Sequence, residues 1–118
     1  MQLKLNTRVA KGVTIIDCNG RIVFGEESAL LRDTIKKQVG QNSQIILNLG
    51  GISYIDSGGL GTLVALYTTA QNAGGAVKLV NLTQRVGDLL QVTKLLTVFE
   101  VYDNEEKAID SFGKGAAA

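Results

Sequence analysis

Asp56-Ser57-Gly58-Gly59-Leu60-Gly61 stands where an apolar stretch stops and a long helical pattern begins. It places a serine hydroxyl at a helix entrance that three glycines clear of side chains. The first turn of a helix has backbone N–H groups without intrahelical partners and the positive end of the macrodipole, so a doubly charged phosphoserine is stabilised there. The missing side chains at Gly58, Gly59 and Gly61 are expected to let another protein's backbone approach the hydroxyl closely. Ser57 therefore reads as a regulated hydroxyl. Capping holds beside that reading: Asp56 or Ser57 accepts a hydrogen bond from a backbone N–H two or three residues on.

Other chemistries meet specific obstacles. Asp-Ser-Gly-Gly matches the nucleophile segment of trypsin-like proteases, but that reaction needs a histidine base and the chain has no histidine. An esterase elbow, Gly-x-Ser-x-Gly, requires glycine where Ile55 stands. A lone serine with neither histidine nor a positioned lysine lacks the activation that nucleophilic catalysis needs, so no enzyme and no catalytic residue is expected. Neither Gly-Lys-Ser/Thr nor Gly-x-Gly-x-x-Gly spacing follows, which leaves a nucleotide or small-molecule sensor resting on the helix amides alone as an alternative.

Composition narrows the classes further. At 118 residues and 45% hydrophobic, the chain suits one domain with a core of its own. A net charge of +1, with no basic run longer than Lys36-Lys37, gives no electrostatic footprint for nucleic acid or an anionic membrane. The single cysteine, Cys18, excludes an intrachain disulfide and reads as a small core residue. Without histidine or a second cysteine, no metal site is expected. The start, Met1 to Asn6, lacks the apolar core of a signal peptide, which predicts a cytoplasmic protein. No charged residue occurs from Ser57 through Val77, yet Gly74-Gly75 and the threonines, Gln71 and Asn72 make that stretch too polar for a membrane span.

Working outward from the hexad, Gln44 to Leu49 is a nearly continuous apolar run, as expected of a central strand covered on both faces. From Ser57 to about Ala73, Leu60, Leu63, Val64 and Tyr67 make one apolar helical stripe. Its flank, Gly59, Thr62, Leu66, Thr69 and Ala73, is small and uncharged, and reads as deeper burial or a flat docking surface. Upstream, Leu3, Leu5, Thr7 and Val9 alternate with Gln2, Lys4, Asn6 and Arg8 as an edge strand. A turn at Ala10-Lys11-Gly12 leads to an antiparallel strand over 13–18; Asn19-Gly20 is expected to turn the chain before a short strand over 22–24. Glu26 and Glu27 open a helix carrying Leu31, Ile35 and Val39, which Lys36, Lys37 and Gly40 close.

Downstream, Ala76 to Val80 reads as a strand. Thr83 caps a helix with Val86, Leu89 and Leu90 that ends near Thr93. Thr97 to Tyr102 reads as the last strand, and Asp103 or Asn104 caps a final helix held by Ala108, Ile109 and Phe112. The domain is expected over 1–112, with 113–118 as a frayed tail.

This order of elements, with Asp-Ser-x-Gly-Leu-Gly at the second helix, resembles the STAS domain, a family named for sulphate transporters and anti-sigma factor antagonists. The resemblance runs from about Leu3 to Phe112 and is strongest from Asn48-Leu49 through Gly61. It implies an α/β single domain, a mixed sheet of about five strands backed by about four helices, with the serine segment exposed at one end. Stand-alone chains of this length look like anti-sigma factor antagonists, whose serine after the aspartate is phosphorylated by an anti-sigma factor serine kinase and reset by a serine phosphatase. That position is Ser57.

The resemblance implies no cofactor, because ATP, magnesium and the base would come from the kinase. The docking surface expected from it comprises Asp56, Ser57, Gly58, Gly59, Leu60, Gly61 and Thr62 with the neighbouring turn at Asn81, Thr83 and Arg85. Gly58 stands where many relatives have a second hydroxyl, so modification is confined to Ser57. Val23 stands where many have an aspartate, leaving Glu26 and Glu27 as alternative acidic contacts. A monomer is expected, with a dimer through the uncharged helix flank left open. The alternative within the fold is a STAS subunit of a transport or stress-signalling complex in which Ser57 is only a cap.

Overall fold

The alternating N-terminal residues form strand β1 (Leu3–Ala10) in the computed structural model, which describes residues 3–116 and the side chains of 3–112. Gln2 of the alternation lies outside the described residues. Lys11 and Gly12, both at positive φ, make a two-residue hairpin turn into β2 (Val13–Ile22), antiparallel to β1. Helix α1 (Glu26–Val39), strand β3 (Gln44–Ile55) and helix α2 (Ser57–Asn72) follow, then β4 (Ala76–Val80), α3 (Gln84–Val92), β5 (Val101–Tyr102) and α4 (Glu105–Ala116). The sheet order is β1-β2-β3-β4-β5, with all pairs after the first parallel. The fold is the expected mixed five-stranded sheet with four helices.

Two local expectations are corrected. Asn19-Gly20 does not turn the chain. β2 runs through it, pairing Gly20 with Leu3 on one side and Ile52 on the other. The irregularity is absorbed as register shifts against β3, with Gly20 at φ 117, a conformation open to glycine. The last strand is two residues, not six. Leu95–Thr97 forms a 3-10 turn, and Phe99 turns inward to pack edge-to-face on Tyr67, 5.5 Å between ring centroids. Helix α4 is described as far as Ala116, and residues 117 and 118 of the expected tail lie outside the described residues.

Period-two alternation divides the strand side chains between two cores. Ile16, Cys18, Ile45, Leu47, Leu49, Val77 and Leu79 pack beneath α1, α2 and α3. Val13, Ile15, Ile46 and Val80 face α4 through Ala108 and Phe112. The apolar run in β3 is thus explained by cover on both sides. Burial pushes the Cys18 thiol up to about 12, with Asp17 adding to the effect, so it is an unreactive core group.

Polar contacts fix α4 at two places. Arg8 bridges Asp17 and Glu105, and Asn48 donates to both carboxylates at 3.3 and 3.1 Å. Lys78, only 7% exposed, donates to Ser111 at 2.7 Å, pairs with Glu100 at 3.2 Å and lies 4.2 Å from the Phe112 ring centroid. The parallel pairing brings Ile22 and Ile55 side by side where β2 and β3 end. The hexad begins at that edge.

Replacing Leu47, fully buried between β-strands and helices, with alanine is expected to cost about 2–5 kcal/mol in urea unfolding. Val92→Ala, at a position 79% exposed, should stay within about 0.5 kcal/mol of the parent in the same measurement.

Candidate functional site

Asp56 leaves β3 in an extended conformation and serves as the N-cap of α2. One carboxylate oxygen accepts from the Gly59 amide at 2.7 Å, and both accept from the Phe24 amide at 3.1 Å. Its own amide donates to the Ile22 carbonyl at 3.3 Å. The cap is therefore Asp56, and Ser57, exposed at the first helical position, is free of that duty. The Gly59 amide first, and then that of Phe24, hold the Asp56 carboxyl below its usual 3.8.

The glycines do different work from that expected. A Cβ on Gly59 would lie 2.0 Å from the Ile22 carbonyl oxygen, and one on Gly58 would lie 2.6 Å from the Phe24 Cβ. Both serve the protein's own packing: they let the start of α2 sit against the end of β2 and the turn after it. Only Gly61 faces open space, with nothing within 4 Å of an added Cβ.

Beside Ser57, a surface groove of about 880 Å³ opens between α2 and α3, with Tyr54, Arg85, Asp88, Leu89 and Val92 in its wall. Tyr54 is 40% exposed and, across the Ser57 turn, the Phe24 ring is 81% exposed. Of the expected docking residues, Asp56, Ser57, Leu60 and Arg85 line this groove. Thr62 is buried and its hydroxyl donates to the Gly58 carbonyl at 3.1 Å. Thr83 caps α3 by accepting from the Val86 amide and donates to the Ile52 carbonyl. Asn81 does not line the groove beside Ser57, although it shares a neighbouring depression with Gln84 and Asp88, which do. It also lines a separate polar depression with Asn6, Asp17, Asn19 and Asn48, beside Gly50 midway along β3.

On the α2 flank, Gly59, Thr62 and Leu66 are buried whereas Ala73 is exposed, so most of that face is core. Sequence reasoning missed Phe24, which it assigned to a strand, and the α3 contribution of Asp88, Leu89 and Val92. The one available signal for the latter was the apolar pair Leu89 and Val92 three residues apart at the end of a short helix. Among the described residues no helix is long and apolar enough to cross a membrane, and no group of three His, Cys, Asp or Glu side chains is placed to hold a metal.

With this geometry in view, the family model described as "STAS domain" matches residues 4–108. The chain belongs to the STAS family. This STAS domain is 26% identical over 111 residues to the "Anti-sigma F factor antagonist" of Paenibacillus polymyxa, covering 92% of this chain and 94% of that one. It is 29% identical over 80 residues to the "Anti-sigma-B factor antagonist" of Bacillus subtilis strain 168, covering 68% and 73%. Among solved structures it resembles the anti-sigma factor antagonist SpoIIAA in its unphosphorylated form, with a TM-score of 0.75, 23% identity and coverage of 95% and 96%.

Two substitutions separate the glycine roles. Gly59→Ala, which drives a Cβ into the Ile22 carbonyl, should lower the melting temperature sharply, whereas Gly61→Ala should leave it unchanged or raise stability by up to about 1 kcal/mol. The Asp56 cap should also be pH-dependent. Because its folded-state value lies below 3.8, its contribution is present above that value and fades as pH falls through the folded one. The stability gap between the parent and Asp56→Ala, read by thermal melts, should therefore be full at neutral pH and narrow below about pH 4.

Proposed function

We propose that this STAS domain is an anti-sigma factor antagonist whose unmodified form binds an anti-sigma factor serine kinase and so releases the sigma factor, and whose binding ends when Ser57 is phosphorylated. The observation that carries the reading is the exposed Ser57 hydroxyl at the first position of α2, relieved of capping by Asp56 and bordered by the groove. The antagonist names of the relatives support it.

In the reaction, the Ser57 oxygen forms a bond to the γ-phosphorus of ATP held by the kinase. The bond from that phosphorus to the ADP oxygen breaks, the hydroxyl proton passes to a base of the kinase, and ADP with its magnesium leaves with the kinase. This chain is substrate and ligand. A serine phosphatase restores the hydroxyl by hydrolysing the ester.

The partner surface is Ser57, Gly61 and Arg85 with the exposed rings of Phe24 and Tyr54. Asp56, Gly58, Gly59, Leu60, Thr62 and Thr83 hold that surface in shape, and Asn81 falls outside it. A phosphate adds roughly 1.5 to 2 negative charges beside the groove, and an interface built round a neutral hydroxyl meets these as desolvation and repulsion. The cytoplasm, where ATP-dependent kinases work, is the corresponding location.

Incubating the protein with ATP and a lysate of its own organism, followed by intact-mass and peptide mass spectrometry, tests the reading. One phosphate confined to Ser57 and missing from Ser57→Ala is expected. An unmodified Ser57 in a protein that co-purifies with transport subunits would replace the switch with a structural role.

A further inference from the structure

Arg85 and Ser57 face one groove from different helices. Arg85 is exposed and is the sole cation among the residues lining that groove. The ion pairs found among the described residues engage Arg8, Lys78 and Lys107, not Arg85. Two acids also border the groove. Asp88 lies one turn along α3, and Asp56 has its carboxylate bound by the Gly59 and Phe24 amides. Glu26 and Glu27, at the start of α1, do not line it.

A phosphate on Ser57 adds about 1.5 to 2 negative charges and three acceptor oxygens in this setting. A guanidinium is the side chain best matched to such a group, because its planar fork pairs with two phosphate oxygens at once. We propose that Arg85 is the intramolecular counter-ion of phosphorylated Ser57, and that their pairing draws the Arg85 side chain across the mouth of the groove, over Tyr54, Leu89 and Val92.

The inference rests on Ser57 being the phosphorylated residue, and it adds a route by which that event removes the docking surface. Charge appears on the rim of the groove, and at the same time the apolar wall loses access to a partner. The unmodified protein has no anion at Ser57 to hold Arg85, so its groove stays open. Arg85 acts here as a positioning residue, with Asp88 opposing the pair from its own helix.

The test uses full-length protein with phosphoserine inserted at position 57 during translation, so that no kinase is needed, and follows the phosphate by phosphorus NMR across pH. An ion pair favours the dianion, so the second ionisation in the otherwise unaltered protein is expected about half a pH unit or more below that in Arg85→Gln. Arg85→Lys should recover part of the difference, and Asp88→Asn should lower the midpoint further. Thermal melts establish that each variant is folded. Identical phosphate titrations in the parent and the Arg85→Gln variant would overturn the pairing. That result would leave the switch itself standing, whereas failure of any kinase to modify Ser57 would remove the switch while the titration remained readable.

Discussion

The site depends on one carboxylate. Asp56 accepts from the amide three residues into α2 and from the amide of Phe24 in the turn after β2, so a single side chain ties a helix start to a neighbouring loop. Backbone contact completes the joint. The Asp56 amide donates to the Ile22 carbonyl, and Gly59 has no side chain to keep α2 from that same carbonyl. Because Asp56 takes the cap, Ser57 stands exposed at the first position of α2. In the proposed switch, a group held in this way meets its partner without the entropy of ordering a loop.

The rest of the sheet serves that joint. Parallel pairing of β2 with β3 sets Ile22 beside Ile55, and cover on both faces holds the strands while their ends stay open. On the α4 face, the Arg8, Asp17, Asn48 and Glu105 cluster and the buried Lys78 satisfy charges that would otherwise be costly to desolvate. These contacts tie the strands to α4, on the sheet face opposite α1, α2 and α3, and the residues that make them do not line the Ser57 groove. The groove beside Ser57 lies between α2 and α3, and the β2–α1 turn is tied to its edge through Phe24 and Asp56.

Much of this was legible in the chain itself. Glu26, Lys36, Lys37 and Gly40 marked α1 to the residue, and Asp56, Thr83 and Asn104 sit at their helix starts as capping chemistry requires. What escaped is tertiary in origin. Asn19-Gly20 carries a turn signature, but strands on both sides hold it extended as a bulge. Thr97 to Phe99 has strand composition, but the core beneath Tyr67 claims Phe99. Gly58 and Gly59 looked like clearance for a visitor, and only the position of Phe24 and Ile22 reveals that the protein itself fills that space. Local pattern cannot report which neighbour arrives from a distant part of the chain.

Central to the proposed switch is that a charge on Ser57 separates this chain from the kinase that installs it. Calorimetric titration of that kinase against the unmodified and the Ser57-phosphorylated protein measures this directly. Like-charge contact and desolvation at a close interface cost several kcal/mol, so affinity is predicted to fall by about 100-fold or more on phosphorylation. Equal affinity for the two forms would contradict the switch.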